Sequence, residues 1–571
     1  MVISAGTSMI VTMPSSLLQT EPPRPARAEL LCLAGAILLG AILRLAYPVR
    51  MAIEHFDEGV YASNFWFGAE EGYEYPARHL YAPPLLPAAI EWTMIIASLC
   101  GVRPTGFIPM IPSLFAGLAT IPSIWWIGRR WFGPSAGIVS AWLVAASDFH
   151  TSYSRAALTD VPVCLFILWG IYFTWQALLT GTRRDIIFAA VFTALGWWTK
   201  YNGWLPLAVG LSGAAAWQLT LPRAERQFVP FGQRWLMVAS LSFLLWVPVL
   251  IGLQKHGGYQ AVAANHSQFV EGFAKWPANA GRQLDHIAFY DGPLRNVVDA
   301  LTIRGANQIA SYLPPNWVGW LPIVLLLVGM VTTCLVCHRL RTKLPTSGAY
   351  WALLAWLCGL TLATPCYHPY PRLMMPWALA VWLGCGLIVQ CALSSGLIFT
   401  LTFPSKNQSW KPKWLETSIA IWLIIATVLR CQFETAYAWQ DRSNFARAME
   451  SFASQIKRST VALGFPEDEA IAYVFGSPPA VFHLKASHLS LVGPAQNLAF
   501  ADKSSPRPTF LIWTGQSLDD RTFTGALESR RDRFILEQSE QVDQSDLILL
   551  DDPEDLGLFV WPNVNLDRLR N

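Results

Sequence analysis

The chain has 571 residues, 53% of them hydrophobic and 14% charged, with 27 tryptophans and a mean hydropathy of +0.34. Soluble domains carry about 25% charged residues, so this composition excludes an ordinary soluble multidomain enzyme, and its core-forming content excludes a disordered chain. The net charge of +3 is too near neutral to suggest nucleic acid as a partner. The charge is unevenly spread: residues 1–431 hold 28 Lys and Arg against 18 Asp and Glu, whereas residues 432–571 hold 13 against 20. A basic, apolar body with an acidic tail reads as a membrane domain followed by a soluble one.

In chain order, residues 1–28, with Pro22, Pro23 and Pro25, read as a disordered cytoplasmic arm and not as a cleavable signal. A membrane-spanning helix needs about 20 mostly apolar residues. Candidate runs lie near 29–47, 85–100, 107–128, 134–148, 161–179, 186–199, 203–219, 235–253, 317–337, 348–364, 373–403 and 415–431. If all of them cross, Arg129-Arg130 and Arg183-Arg184 fall on opposite sides of the bilayer. If the 85–100 run does not cross, one face collects Arg24, Arg27, Arg129-Arg130, Arg183-Arg184, Arg223 to Arg234, His338 to Lys343 and Lys406 to Lys413. The positive-inside rule selects this second solution. The 85–100 run also begins after Pro83-Pro84 and carries Glu91, so it is predicted to lie along the outer interface. The expectation is therefore eleven spans within residues 29–431, a multi-pass protein of the plasma or inner membrane, and a cytoplasmic N-terminus. Residues 432–571 then form an extracytoplasmic α/β domain. In that tail, Ala470–Phe475, Thr509–Trp513 and Leu547–Leu550 read as strands, and Arg442 to Ile456 and Phe523 to Phe534 as amphipathic helices. The ten cysteines fall almost all in apolar runs and imply no disulfide framework. Cys334-Leu335-Val336-Cys337-His338 has haem-attachment spacing but lies at the cytoplasmic end of a span, so it is read as core cysteines.

The remaining ionisable residues gather on the outer segments, where charge at the membrane edge marks a candidate functional site. The first outer loop opens Glu54-His55-Phe56-Asp57-Glu58-Gly59-Val60-Tyr61, and its acidic pair suits a general base, a metal ligand or a solvated loop. His79-Leu80-Tyr81-Ala82-Pro83-Pro84-Leu85 follows. Ser154-Arg155-Ala156-Ala157-Leu158-Thr159-Asp160-Val161-Pro162 places Asp160 before an apolar span, where it is also a plausible helix cap. Thr199-Lys200-Tyr201-Asn202-Gly203 sets a lysine on the outer face against the positive-inside pattern, either to bind an anion such as a lipid phosphate or to snorkel.

An acidic pair in the first outer loop, then Pro-Pro-Leu, then Arg-x-x-Leu-Thr-Asp-x-Pro, then Thr-Lys resembles the GT-C membrane glycosyltransferases. The nearest branch holds the protein O-mannosyltransferases and the lipid A aminoarabinose transferase. The resemblance covers about residues 25–430 and is clearest in 50–205. It implies transfer of a sugar, hexosyl or pentosyl, from a polyprenyl-phosphate donor to a lipid, glycan or protein acceptor on the outer face. Asp57 would be the general base with Glu58 beside it, and Asp160 the second acidic position. Lys200 would contact the donor phosphate. Tyr367-His368-Pro369-Tyr370-Pro371-Arg372 is similar to a family stretch entering a later span, which adds His368, Tyr370 and Arg372 on the phosphate side. His55, Tyr61, Arg155 and Tyr201 flank these positions as substrate-binding candidates. The family often has Lys or His before Pro-Pro-Leu; Ala82 stands there, and His79 could substitute from one turn earlier. A divalent metal could be held by Asp57, Glu58, His55 and Asp160, although cationic side chains could serve instead. Base and leaving group on opposite faces of the sugar predict inverting single displacement. The rival readings are a lipid or sugar transporter or flippase, for which no internal repeat is found, and a catalytically inactive assembly subunit.

Overall fold

The computed structural model describes residues 24–67, 75, 77–290, 348–395, 439, 441–489, 491–494, 507–513, 535–542 and 554–560. Among them, six helices are long and apolar enough to cross a membrane: Arg27–Leu45, Ile108–Trp131, Asp160–Thr180, Arg223–His256, Ala349–Cys366 and Pro371–Cys391. The expected runs at 317–337 and 415–431 lie outside the described residues. Those at 134–148, 186–199 and 203–219 form the helices Pro134–Ala146, Arg183–Thr199 and Leu205–Thr220.

The body is built around α7 (Asp160–Thr180), the most buried of the candidate spans. It packs against α4 (Ile111–Trp131), α8 (Arg183–Thr199), α9 (Leu205–Thr220) and α14 (Met375–Ser395). Its 21 residues correspond to about 31 Å at 1.5 Å per residue, the thickness of a hydrocarbon core. A second group joins α5 (Pro134–Ala146) to α4, α14 and α1 (Arg27–Leu45). Gly128 of α4 and Gly137 of α5 let these two helices meet backbone to backbone, since a Cβ on Gly137 would lie 2.5 Å from the Trp125 carbonyl oxygen. On the outside, Leu31, Leu38 and Ile42 of α1 and Phe243, Leu244 and Ile251 of α10 (Phe228–Leu253) are exposed. Apolar ridges this long suit a lipid surround. The predicted interfacial segment is α3 (Leu85–Leu99), whose 15 residues extend about 22 Å and fall short of a span.

The tail starts with α15 (Asn444–Ala462), where a stripe of Phe445, Met449, Phe452 and Ile456 at helical spacing covers Val474, Val481, Leu484 and Phe510. Its five strands run in the order β2-β1-β3-β5-β4. β1 (Ile471–Phe475) pairs in parallel with β2 (Leu491–Pro494) and β3 (Thr509–Trp513), and β5 (Glu554–Val560) pairs antiparallel with β3 and β4 (Ile535–Val542). The first two predicted strands and the first predicted helix are found in place; Leu547–Leu550 and Phe523 to Phe534 lie outside the described residues.

Body and tail interlock. Phe482 of α16 (Pro478–Ala486) enters the body core, and Phe67 of the first loop enters the tail core. Gly59 on α2 (Phe56–Ala62) allows α16 to approach so closely that a Cβ there would lie 2.3 Å from the Pro479 nitrogen. Arg442 crosses the junction fully desolvated, with Nε 2.7 Å from Glu54 Oε2 and Nη2 2.5 Å from Glu58 Oε2. Its Nη1 donates to the Arg155 carbonyl, and its backbone N–H to that of Arg50. His483 of α16 donates from Nε2 to the Ile53 carbonyl at 2.7 Å, and burial holds its imidazole down to about 4.

Two outcomes are expected. Arg442→Met leaves two buried glutamates without their cation and should lower the unfolding free energy by about 3–5 kcal/mol, measured by chemical unfolding in detergent. Adding Glu54→Gln and Glu58→Gln should restore most of it; a triple variant as unstable as the single one would rule out the charges as the cause. For His483 the folded value lies below the unfolded 6.5, so the unfolded chain binds the extra proton between the two. Stability should therefore fall as pH drops from 6.5 to about 4 and level off below, a gap corresponding to about 3 kcal/mol. His483→Gln should flatten that part of the stability profile, and an unchanged slope would assign it to other groups.

Candidate active site

Successive residues on a helix point about 100° apart, so neighbouring Asp57 and Glu58 on α2 face different surroundings. His55 starts this helix: its Nδ1 accepts from the Asp57 N–H at 3.1 Å, and Glu58 Oε2 accepts from the His55 N–H at 2.9 Å. The second Glu58 oxygen accepts from the Ala157 N–H at 2.7 Å, and Oε2 also accepts from Glu54 N–H and Arg442. Glu58 is thus wholly enclosed by protein donors.

Asp57 faces the other way, where Arg372 donates to Oδ2 from Nη1. Arg372 is fixed by the 3₁₀ turn Pro371–Met374 that begins α14, and its guanidinium lies over the Tyr370 ring at 5.6 Å. Burial pushes the Asp57 carboxyl up, but the Arg372 charge and hydrogen bond, with help from His55 and Lys200, more than offset this and hold it below the ordinary carboxylate value. A second pair stands beside the first. Lys200, at the extended exit from α8, places Nζ 2.6 Å from Oδ1 of Asp160, the first residue of α7. Asp160 Oδ2 is buried without a hydrogen-bond partner among the described residues. The Lys200 and Arg372 side chains keep about a fifth of their surface open (19% and 20%), against 2% for Asp160. Two carboxylates and two cations from four distant segments therefore form two neighbouring ion pairs, near enough that Lys200 acts on Asp57 and Asp160 on Arg372.

Tyrosines and histidines stand nearby. Tyr61 bonds to Thr159, and burial followed by the Asp57 charge raises its phenol well above the ordinary value. Tyr201 donates to the His79 carbonyl at 2.5 Å, and the His79 ring stacks on His256 at 4.3 Å. Two predicted residues have protein partners of their own. Arg155 is 2% exposed and donates to the Arg44 and Ala46 carbonyls at the end of α1. His368 places Nδ1 2.9 Å from Glu271 Oε1, while Asn279 donates to the other Glu271 oxygen at 2.9 Å. Glu271 and Arg442 carry no motif, and their partners lie 97 and 384 residues away, so the sequence offered no signal for them. His266 on α11 (Gly258–Ser267) was also missed. Burial, reinforced by Lys200 and Arg372, keeps its imidazole below the ordinary value, against the Val262 carbonyl and Asp57.

No group of three or more His, Cys, Asp and Glu among the described residues is arranged to hold a metal. Asp57 and Asp160 are matched to cations and Glu58 to backbone and guanidinium donors, so this constellation does not have the form of a metal cage.

Residues 82–251 match the family model of the dolichyl-phosphate-mannose-protein mannosyltransferases. No curated protein sequence matches the chain. Solved structures share its fold. The oligosaccharyltransferase AglB of Archaeoglobus fulgidus, in complex with an inhibitory peptide and a dolichol-phosphate, is 13% identical, with 95% of this chain and 75% of that one covered at a TM-score of 0.53. For the apo form of the Archaeoglobus fulgidus oligosaccharyltransferase the identity is 13%, the TM-score 0.50 and the coverage 82% of this chain, which spans 64% of that chain's length. ArnT of Cupriavidus metallidurans bound to undecaprenyl phosphate is 13% identical over 93% of this chain and 97% of that one, at a TM-score of 0.50. The chain has the GT-C fold of these membrane glycosyltransferases, and the resemblance carried by its four outer motifs holds for the fold as a whole.

Proposed function

We propose that the protein transfers a sugar from a polyprenyl-phosphate donor to an acceptor hydroxyl at the outer membrane face, by single displacement with inversion. The observation that carries this reading is the pairing of Asp57 with Arg372 and of Asp160 with Lys200, side by side at the ends of helices. A lipid-linked phosphate holds its sugar at headgroup level, which is where loops between spans can bring charged groups to it. The phosphate competes with the carboxylates for Arg372 and Lys200. As it draws these cations away, Asp57 loses the charge that keeps it a weak base.

In the reaction, the acceptor oxygen forms a bond to the anomeric carbon while its proton passes to a carboxylate oxygen of Asp57. The bond from that carbon to the phosphate oxygen breaks, and the electron pair leaves with the polyprenyl phosphate, stabilised by Arg372 and Lys200 in a water-poor site. Asp160 holds Lys200 in place. Glu58 and Arg155 act in this reading as positioning residues, fixing the helix that bears Asp57 and the end of α1. Tyr370 packs against Arg372, and Tyr201, next to Lys200, ties down the His79 backbone, which makes these three substrate-binding candidates. Residues 29–431 make up the membrane domain with its N-terminus cytoplasmic, and residues 432–571 form the extracytoplasmic domain that closes over the first loop.

Purified protein given a radiolabelled polyprenyl-phosphate sugar should show transfer that Asp57→Asn lowers by roughly 10²–10⁴-fold, the range for a lost general base. Lys200→Met should act chiefly by raising the donor concentration needed. Full activity in Asp57→Asn would remove the base, a product of retained anomeric configuration would exclude single displacement, and no transfer by the wild type would favour an assembly subunit.

A further inference from the structure

A second polar site lies away from the proposed catalytic opening, where the membrane body meets the tail. It is a cleft of about 400 Å³ lined by Arg103, Glu450, Ser454, Lys457, Ser487 and His488. Arg103 belongs to the loop after α3, Lys457 to α15, and His488 to the turn after α16. Arg103 Nη2 donates to the Ala486 carbonyl at 3.1 Å and Lys457 Nζ to the Ser487 carbonyl at 3.0 Å, so both cations sit on the negative end of α16. A lysine has three donors and an arginine five, and one contact of this kind leaves the rest for another acceptor. Among the described residues, the only carboxylate lining the cleft is Glu450, 3.5 Å from Arg103, and both side chains of that pair are half exposed. An ion pair so open is weak and exchangeable.

The same loop carries an independent mark. On α3, Leu86, Ile90, Met94 and Ala97 face the core, while Trp92, Ile96 and Leu99 form the opposite edge, each more than half exposed. Val102 continues the ridge to the residue before Arg103 and is itself half exposed. An apolar ridge that ends in a cationic cleft matches, over a few ångströms, the change from acyl chain to headgroup, and a tryptophan on it suits that boundary.

We infer that this is a binding site for an anionic phospholipid headgroup of the surrounding leaflet, with Arg103, Lys457 and His488 receiving the phosphate and the ridge of α3 lying against the acyl chains. The lipid ties the tail to the membrane beside α3, and Glu450 yields its hold on Arg103 when the headgroup enters.

The test is hydrogen exchange on the full chain in nanodiscs of phosphatidylglycerol or of phosphatidylcholine, read at residues 100–107 and 484–489. Phosphatidylglycerol should slow exchange there by roughly fivefold to thirtyfold, the range for one or two cationic contacts with an anionic surface. R103Q/K457Q should abolish the difference, R103K/K457R should keep it, and E450Q should enlarge it, with thermal unfolding of all variants unchanged. Equal exchange in the two lipids overturns the inference. So does the same slowing by millimolar inorganic phosphate in phosphatidylcholine, which would mark a free-anion site. An E450Q variant that leaves the difference unchanged or smaller counts against it as well.

Discussion

One arginine bound to two buried glutamates determines how the rest of the site can be arranged. Isolated charges at the depth of Glu54 and Glu58 would cost several kcal/mol each, and Coulomb attraction offsets that only where geometry is good and the remaining acceptors are filled. Both conditions hold for Glu58, which receives Arg442 and the N–H groups of Glu54, His55 and Ala157. These donors come from the helix start itself, from the segment before α7 and from the tail. The carboxylate therefore fixes the rotation of α2 against three parts of the protein. Because Asp57 is the preceding residue on a helix of one and a half to two turns, fixing Glu58 also fixes the direction of Asp57. The pair that reads in sequence as one acidic motif is divided by helical geometry into a brace and a reactive group.

Much of this was legible because it rests on local pattern. Helical periods, the short run at 85–100 and the distribution of basic loops require no knowledge of distant contacts. Lys200 stood out because it broke the positive-inside pattern, and its partner Asp160 accounts for the anomaly. Each of the two had a bland reading alone, as a snorkelling lysine and a helix cap. Together they form a pair 2.6 Å apart. What could not be read is what depends on pairings across hundreds of residues. Arg442 sits in an acidic tail next to Asp441, where a solvated surface charge is the ordinary expectation. Glu271 lies between two helices, in a stretch without a motif. Arg155 falls inside the most specific motif, yet its guanidinium goes to the two carbonyls at the end of α1, a use that sequence spacing does not encode.

The tail gains a role from the same contacts. A separate soluble module joined by a linker would have its own core and few contacts with the body. Here Phe67 and Phe482 exchange places between the two cores, and Gly59 brings α2 against the backbone of α16. The glycine matters for its size: any side chain there would have to push the two helices apart. The orientation of Asp57 therefore depends on the tail as well as on the membrane helices.

Asp57 with Arg372 and Asp160 with Lys200 cancel one another's charge, and this has consequences within the proposed reaction. A site lined only by free lysine and arginine would attract any phosphate and hold the product as tightly as the donor. A matched site attracts less strongly at long range, because each cation must leave a carboxylate before it can serve a phosphate. The exchange is then close to balanced, which favours release of the polyprenyl phosphate after transfer. It also links basicity to occupancy: Asp57 is held as a poor base by Arg372 until a phosphate competes for that guanidinium. A water molecule entering ahead of the donor would meet a carboxylate still paired with its arginine. Charge matching thus ties activation of the base to arrival of the lipid phosphate, without requiring any movement of the helices that carry the four groups.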